Sequence, residues 1–165
     1  MINVLVKRRE NNTLNIEIFA PFSGLTFPLD GVNDPVFAQK MLGDGVAITP
    51  SKETIYSPID GEITMLDDTR HAIGFKNASG IEVLIHIGLD TVALKGEGFE
   101  TFVSVGQSVT IGTPLISFDL ELLKNRKLDP TTMIVVINSN EFDTTDKTLN
   151  KSVVELKDVI WRIKK

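Results

Sequence analysis

Only two residues in this chain carry an imidazole, His71 and His86, and none carries a thiol. Disulfides, thiolate nucleophiles and cysteine-based zinc sites are therefore excluded. An unperturbed imidazole titrates near ~6.5, so much of it is a free nucleophile at neutral pH. Its nitrogen accepts a phosphoryl group reversibly, and the labile P–N bond suits a relay. A second imidazole beside it would hydrogen-bond the transferred group and stabilise its charge. The alternative is two unrelated surface or core histidines.

Other uses of these residues find less support. A β-rich zinc peptidase would want H-x-x-x-D and H-x-H, but the fourth residue after His71 is Phe75 and the second after His86 is Gly88. Two histidines without cysteine leave a zinc site short of ligands unless carboxylates or a partner complete it; no metal is expected in the chain itself, and no cofactor. Val105 to Leu115 resembles the hairpin of biotinyl and lipoyl carrier domains. Those domains place their arm on a hairpin lysine, whereas Gln39-Lys40-Met41 falls in a predicted helix. No strand is followed by G-x-x-x-x-G-K-S/T, so a nucleotide-binding loop is not indicated.

The elements around the histidines read as short strands. Ile81 to Ile87 alternates, with Ile81, Val83, Ile85 and Ile87 on one face and Glu82, Leu84 and His86 on the other. In Thr69 to Phe75, an extended chain would put His71, Ile73 and Phe75 on a common face. Thr132 to Ile137 is a continuous apolar run, suited to a strand buried on both sides. Gly106 to Ile116 reads as strand, turn, strand, and Asn138 to Lys151 as a polar surface loop. Such punctuation predicts an all-β fold, an antiparallel sandwich or barrel with one or two very short helices.

The best helix candidate is Asp34 to Leu42, with Asp34 as cap, Pro35 at the first position and Gly43 as stop. A second spans Asp119 to Asn125. Val36, Phe37, Met41 and Leu42 cannot share one narrow stripe of the first. Some belong to the core, and the rest are candidates for an exposed docking patch. Asp34, Asp44 and Asp90 read individually as surface charges. Ala20-Pro21-Phe22-Ser23-Gly24 and Ser57-Pro58-Ile59-Asp60-Gly61 echo each other, which fits a sandwich with internal pseudo-symmetry or two chance turns.

The 165 residues suit one domain, expected over 1–165 with residues 1–15 set apart. With 17 basic and 22 acidic residues, the net charge of −5 argues against nucleic acid as a partner. Ile2 to Val6 is too short for a signal core and is followed by its positive charges. No stretch reaches the ~18 apolar residues of a spanning helix, so a cytoplasmic protein without a transmembrane segment is expected.

Together these residues resemble a known family. Val36-Phe37-Ala38-Gln39-Lys40-Met41-Leu42-Gly43-Asp44-Gly45-Val46-Ala47-Ile48 is similar to the V-F-A-E-K-x-x-G-D-G-x-A-I segment of glucose-type enzyme IIA of the bacterial phosphoenolpyruvate-dependent sugar phosphotransferase system. Pro58-Ile59-Asp60-Gly61 resembles its P-V-D-G turn, and Thr69-Arg70-His71-Ala72 its T-x-H-A. Gly80 to Val92 resembles G-x-E-x-L-x-H-x-G-x-D-T-V, and Lys95-Gly96-Glu97-Gly98-Phe99 continues it. The likeness runs from about Ile16 to the C-terminus.

The resemblance implies a β-sandwich and a phosphorelay. His86 matches the phosphorylated histidine, which takes phosphate from the phosphocarrier HPr and passes it to a IIB domain of a sugar permease. His71 matches the second histidine, which contacts the phosphoryl group, and Thr69 the threonine that orients it. Gly88 lies where a backbone carbonyl fixes the His86 tautomer. Asp34 and Asp90 match acidic residues near the HPr contact, and Val36, Phe37, Met41, Leu42 and Val92 are the apolar docking candidates. Such a domain touches proteins and phosphate, not sugar directly. Gln39, Asp67 and Arg70 depart from the enteric pattern, and an amphipathic N-terminal helix is not evident in Met1–Asn15. A regulatory module that uses phosphohistidine only as a switch is the alternative to a transfer subunit.

Overall fold

The computed structural model describes residues 14–165; the expectations for Met1–Asn15 therefore fall almost wholly outside the described residues. Fourteen strands and two short helices follow in order. They are β1 (Asn15–Phe19), β2 (Gly24–Pro28), α1 (Pro35–Ala38), β3 (Asp44–Pro50), β4 (Thr54–Tyr56), β5 (Gly61–Leu66), β6 (Ala72–Lys76), β7 (Glu82–Ile87) and β8 (Phe99–Thr101). Then come β9 (Ser108–Val109), β10 (Pro114–Phe118), α2 (Leu120–Asn125), β11 (Thr132–Val136), β12 (Asp143–Lys147), β13 (Ser152–Val153) and β14 (Val159–Lys164). All strand pairs are antiparallel. One sheet has the order β13-β2-β3-β11-β7-β6-β5-β9, and two smaller ones run β1-β14-β12 and β4-β10-β8. The expected all-β sandwich with very short helices is the observed one.

The large sheet buries both of its faces around β11. Ile134 and Val136 join Val83, Ile85, Ile87, Ile73 and Phe75 in the main core, which also holds Phe22 and Trp161. Met133 and Val135 face the other way, into a smaller cluster with Leu29, Val32, Phe37, Ala47 and Leu89. That second cover explains the unbroken apolar run of β11, because no residue of the strand meets water. His86 pairs across the ladder with Met133 and Ala72. It therefore projects from the face that carries the smaller cluster.

The P-x-x-G echo is real and it is structural. Phe19 N–H donates to Pro58 O at 3.0 Å, and Tyr56 N–H donates to Pro21 O at 2.9 Å. Each donor stands two residues before the proline of its own copy. Gly24 then pairs with Val153, and Gly61 with Val109. A Cβ on Gly24 would run into the Thr49 carbonyl, and one on Gly61 would meet the Lys76 carbonyl. The glycine ending each copy is thus required by a close backbone approach.

Three local expectations are corrected. The helix from Asp34 is only four residues long, capped as expected by Val36 N–H to Asp34 Oδ1 at 2.9 Å. It stops before Gly43, because Lys40 takes a left-handed conformation (φ 55°) while Lys40 and Met41 N–H bond back to Phe37 and Val36 carbonyls. The polar segment Asn138–Lys151 contains β12, a Thr-rich strand on the edge of β14. Lastly, β9 and β10 are not hairpin partners: β9 pairs with β5, and β10 with β4 and β8.

Candidate functional site

His86 is placed by regular strand geometry. Its neighbours Ile85 and Ile87 are fully buried in the main core, so alternation turns its ring to the opposite face. There the Phe37 ring of α1 lies 5.0 Å from it, centre to centre, and the His71 ring 4.8 Å away, nearly perpendicular. Nδ1 of His86 lies 2.9 Å from the carbonyl oxygen of Gly88. A carbonyl only accepts, so Nδ1 carries the proton and Nε2 of the neutral ring keeps its lone pair.

Gly88 reaches that position through backbone that other residues resist. Its φ is +72°, and a Cβ would run into Thr91 and lie 3.0 Å from the Asp129 carbonyl. The loop is tied down by Thr91 Oγ1 donating to Ile87 O at 2.5 Å and Leu89 N–H donating to Asp129 O at 2.9 Å.

His71 arrives by another route. Strict alternation would point it away from Ala72, and so away from His86, which pairs with Ala72. The strand begins only at Ala72, however, and Arg70 before it is left-handed (φ 62°). His71 is thus a turn residue whose ring packs on His86 rather than sharing the face of Ile73 and Phe75. Asp67 builds the turn: its Oδ2 accepts from Thr69 N–H at 2.8 Å and from Thr69 Oγ1 at 2.5 Å. Thr69 Oγ1 in turn lies 2.6 Å from His71 Nδ1, which is also 3.1 Å from Asp67 Oδ2. His71 is buried, with 7% exposure.

Burial lowers the pKa of His86 below its ordinary 6.5, and neighbouring His71 lowers it further, against the opposing pull of the Gly88 carbonyl, Asp34 and Asp67. At neutral pH the ring is predominantly uncharged, with one anchored proton and one free lone pair. That is the state of a nitrogen nucleophile. Among the described residues no cluster of three or more His, Asp or Glu is arranged to hold a metal.

The structure brings His86, His71, Thr69, Gly88 and Phe37 together. Phe37 is corrected as an exposed docking candidate: it is 5% exposed and belongs to the smaller core cluster. Burying a phenyl ring is worth about 2–3 kcal/mol, which the fold itself uses. Val36, Met41, Leu42 and Val92 are exposed. Asp34 is half-buried as the cap of α1, and Asp90 is exposed at a left-handed position before the 3₁₀ turn Thr91–Leu94. Sequence reasoning gave Asp67 no part in the site. Its signal was the Asp-x-Thr spacing, which favours a side-chain-bonded turn.

The site is thus a neutral, anchored imidazole presented against a second imidazole on a β-sandwich, the arrangement of a nitrogen nucleophile with a polar helper. Comparison with known proteins is specific. Residues 16–142 match the family model described as phosphoenolpyruvate-dependent sugar phosphotransferase system, EIIA 1. The glucose-specific EIIA component of Bacillus cereus is 48% identical over 132 residues, 80% of each chain. That of Staphylococcus epidermidis is 44% identical over 130 residues, 79% of this chain and 78% of the relative. Glucose permease IIA from Mycoplasma capricolum superposes with a TM-score of 0.81 at 36% identity, over 90% of this chain and 96% of that one. The chain belongs to the EIIA family of the sugar phosphotransferase system, whose members transfer phosphoryl groups in sugar uptake. Among the described residues no helix is long and apolar enough to cross a membrane.

Proposed function

We propose that His86 Nε2 accepts the phosphoryl group from phospho-HPr and passes it to the IIB domain of a sugar permease, in the cytoplasm. The observation that carries this is the Nδ1 bond to Gly88 O, which leaves a single nucleophilic nitrogen on a ring that burial keeps neutral. His71 stabilises the transferred group, Thr69 orients His71, and Gly88 holds the tautomer. Residues 16–165 act as one domain, which binds no sugar itself. The names of the relatives make glucose the first sugar to test.

Docking falls to the exposed apolar side chains Val36, Met41, Leu42 and Val92, on elements adjoining the histidines, with Asp34 and Asp90 steering a basic partner. A relay must release each partner quickly, which favours a small apolar patch with acidic guidance over a large tight interface. The net charge of −5 suits that role.

The test is incubation with phosphoenolpyruvate, enzyme I and HPr, followed by mapping under alkaline conditions. Cleavage at Lys76 separates the two histidines, leaving His86 between Asn77 and Lys95. An acid-labile phosphate on that peptide is expected. Phosphate on His71 alone, or an acid-stable phosphoserine, would overturn the assignment.

A further inference from the structure

The ladder that carries His86 ends at Ile87, and the carbonyl that anchors its ring lies one residue beyond, on Gly88. Gly88 belongs to a turn with two left-handed positions, itself at φ 72° and Asp90 at φ 58°. A left-handed residue other than glycine is strained, so such a turn keeps its shape only where bonds hold it. One bond comes from outside, where Leu89 N–H donates to Asp129 O at 2.9 Å. The other comes from Thr91, whose Oγ1 lies 2.5 Å from Ile87 O. A carbonyl only accepts, so the single hydroxyl hydrogen of Thr91 is spent on closing the turn across Gly88. The Cγ2 methyl of the same side chain takes the space that a Cβ on Gly88 would need. Thr91 is fully buried, where a hydroxyl is costly unless bonded, and valine would fill the same volume without that cost. The hydroxyl therefore has a task that packing alone does not set.

We propose that Thr91 is a positioning residue for the phosphoryl-accepting nitrogen: its hydroxyl closes the Ile87–Thr91 turn, holds the Gly88 carbonyl on His86 Nδ1, and so keeps Nε2 free of a proton. This rests on the transfer reading above. Thr91 acts through the backbone and not on the reacting atoms. In the transfer, the Nε2 lone pair forms the bond to phosphorus as the donor's bond to phosphorus breaks, and the Nδ1 proton stays hydrogen-bonded to Gly88 O. With the Thr91 hydroxyl gone, the turn loosens and the carbonyl leaves Nδ1 for part of the time. A neutral imidazole without that acceptor shares its proton between the two nitrogens, and a protonated Nε2 has no lone pair to offer. Asp90 and Val92, on either side of Thr91, are exposed members of the proposed docking surface. Half-saturation by phospho-HPr reports on them, whereas the limiting rate and the ring nitrogens report on His86.

The experiment compares the full chain as wild type, Thr91→Val, Thr91→Ala and Thr91→Ser. It reads the His86 ring by ¹⁵N NMR at alkaline pH, and single-turnover phosphorylation across a series of phospho-HPr concentrations. In the wild type, Nδ1 should be protonated and Nε2 bare. Thr91→Val keeps the methyl and the volume but loses the hydroxyl, so the two ring nitrogens should move towards a common, averaged shift. Its rate at saturating phospho-HPr should fall about fivefold, the worth of one hydrogen bond, with half-saturation unchanged. Thr91→Ala should show the same mixed tautomer, and it reads the proposal where Thr91→Val does not fold. Thr91→Ser keeps the hydroxyl and should keep both the tautomer and the rate. A wild-type tautomer in folded Thr91→Val or Thr91→Ala would overturn the proposal, even if half-saturation rose. So would loss of the tautomer in folded Thr91→Ser. If no phosphate reaches wild-type His86, the transfer reading fails, while the ¹⁵N comparison still decides what Thr91 does.

Discussion

The two histidines lie 4.8 Å apart, ring to ring, yet they are held by different kinds of structure. His86 sits inside a ladder, with β6 bonded on one side and β11 on the other. His71 sits one residue outside its strand, on a turn held by one carboxylate and one hydroxyl. A ladder is cooperative, so the backbone of His86 tolerates the loss of any single bond. A side-chain-bonded turn depends on particular residues, so the orientation of His71 is open to single substitutions. His86, the proposed reacting group, is fixed by the fold, and His71, its proposed helper, by local chemistry.

The largest expected effects separate the two directly. His86→Gln removes the proposed nucleophile and should neither accept phosphate from HPr nor donate it. His71→Gln keeps that nucleophile and removes the charge-stabilising partner. It should accept phosphate, yet donate to a IIB domain about 10²–10³-fold more slowly, the range for losing one preorganised stabilising group. Rapid-quench measurement of both half-reactions decides this. Identical behaviour of the two variants in both directions would erase the division between them.

The backbone beneath each histidine offers a sharper contrast. Gly88→Ala forces a Cβ against Thr91 at φ +72° and displaces the carbonyl that holds His86. A loss of about 2 kcal/mol in urea unfolding is expected from the left-handed strain and the clash, together with impaired phosphorylation. Arg70→Gly acts on the other turn, where φ is already +62°. Relief of strain there offsets the entropy of glycine, so stability should stay within about 1 kcal/mol of the wild type.

The same contrast explains what could be read in the sequence. Period-2 alternation is a backbone property, so the faces of Ile81 to Ile87 and the burial of Thr132 to Ile137 were legible. So was the P-x-x-G echo, because its glycines answer to steric contact. The place of His71 was not, because one left-handed residue, Arg70, breaks the alternation on which the inference rested. The length of α1 was missed for a similar reason: Lys40 adopts the conformation usually left to glycine. Phe37 was ambiguous because its burial depends on Leu29 and Val32 lying over the sheet, which no local pattern reveals. The pairing of His86 with His71 emerged through family resemblance, since strand order is non-local.

A smaller effect concerns pH. Burial and the neighbouring His71 set the His86 pKa below 6.5, so NMR should show its midpoint below that of a free imidazole. The sign for stability follows. The fold disfavours protonated His86, so its contribution is complete above the unfolded value of ~6.5 and is lost as pH falls through the folded value. Acceptance of phosphate should likewise persist to lower pH than a free imidazole would allow. A midpoint at or above 6.5 would contradict the burial argument.

The smallest effect lies at the docking surface, where neither histidine is touched. Asp90 is exposed, and its proposed part is long-range attraction of a basic partner. Asp90→Lys reverses that charge and should slow phosphate uptake from HPr a few-fold through the association rate. The difference should shrink with salt, since the Debye length falls to about 10 Å at 0.1 M. Met41, 67% exposed, is the apolar counterpart. Met41→Ser should weaken docking with little salt dependence and, unlike Phe37→Ser, without lowering the melting temperature. Phe37→Ser should cost about 3 kcal/mol as a core truncation. Stopped-flow transfer rates across a salt series, with melting curves in parallel, separate steering, contact and core. If Asp90→Lys and Met41→Ser both stay folded and take up phosphate at wild-type rates at every salt concentration, docking lies elsewhere on the molecule.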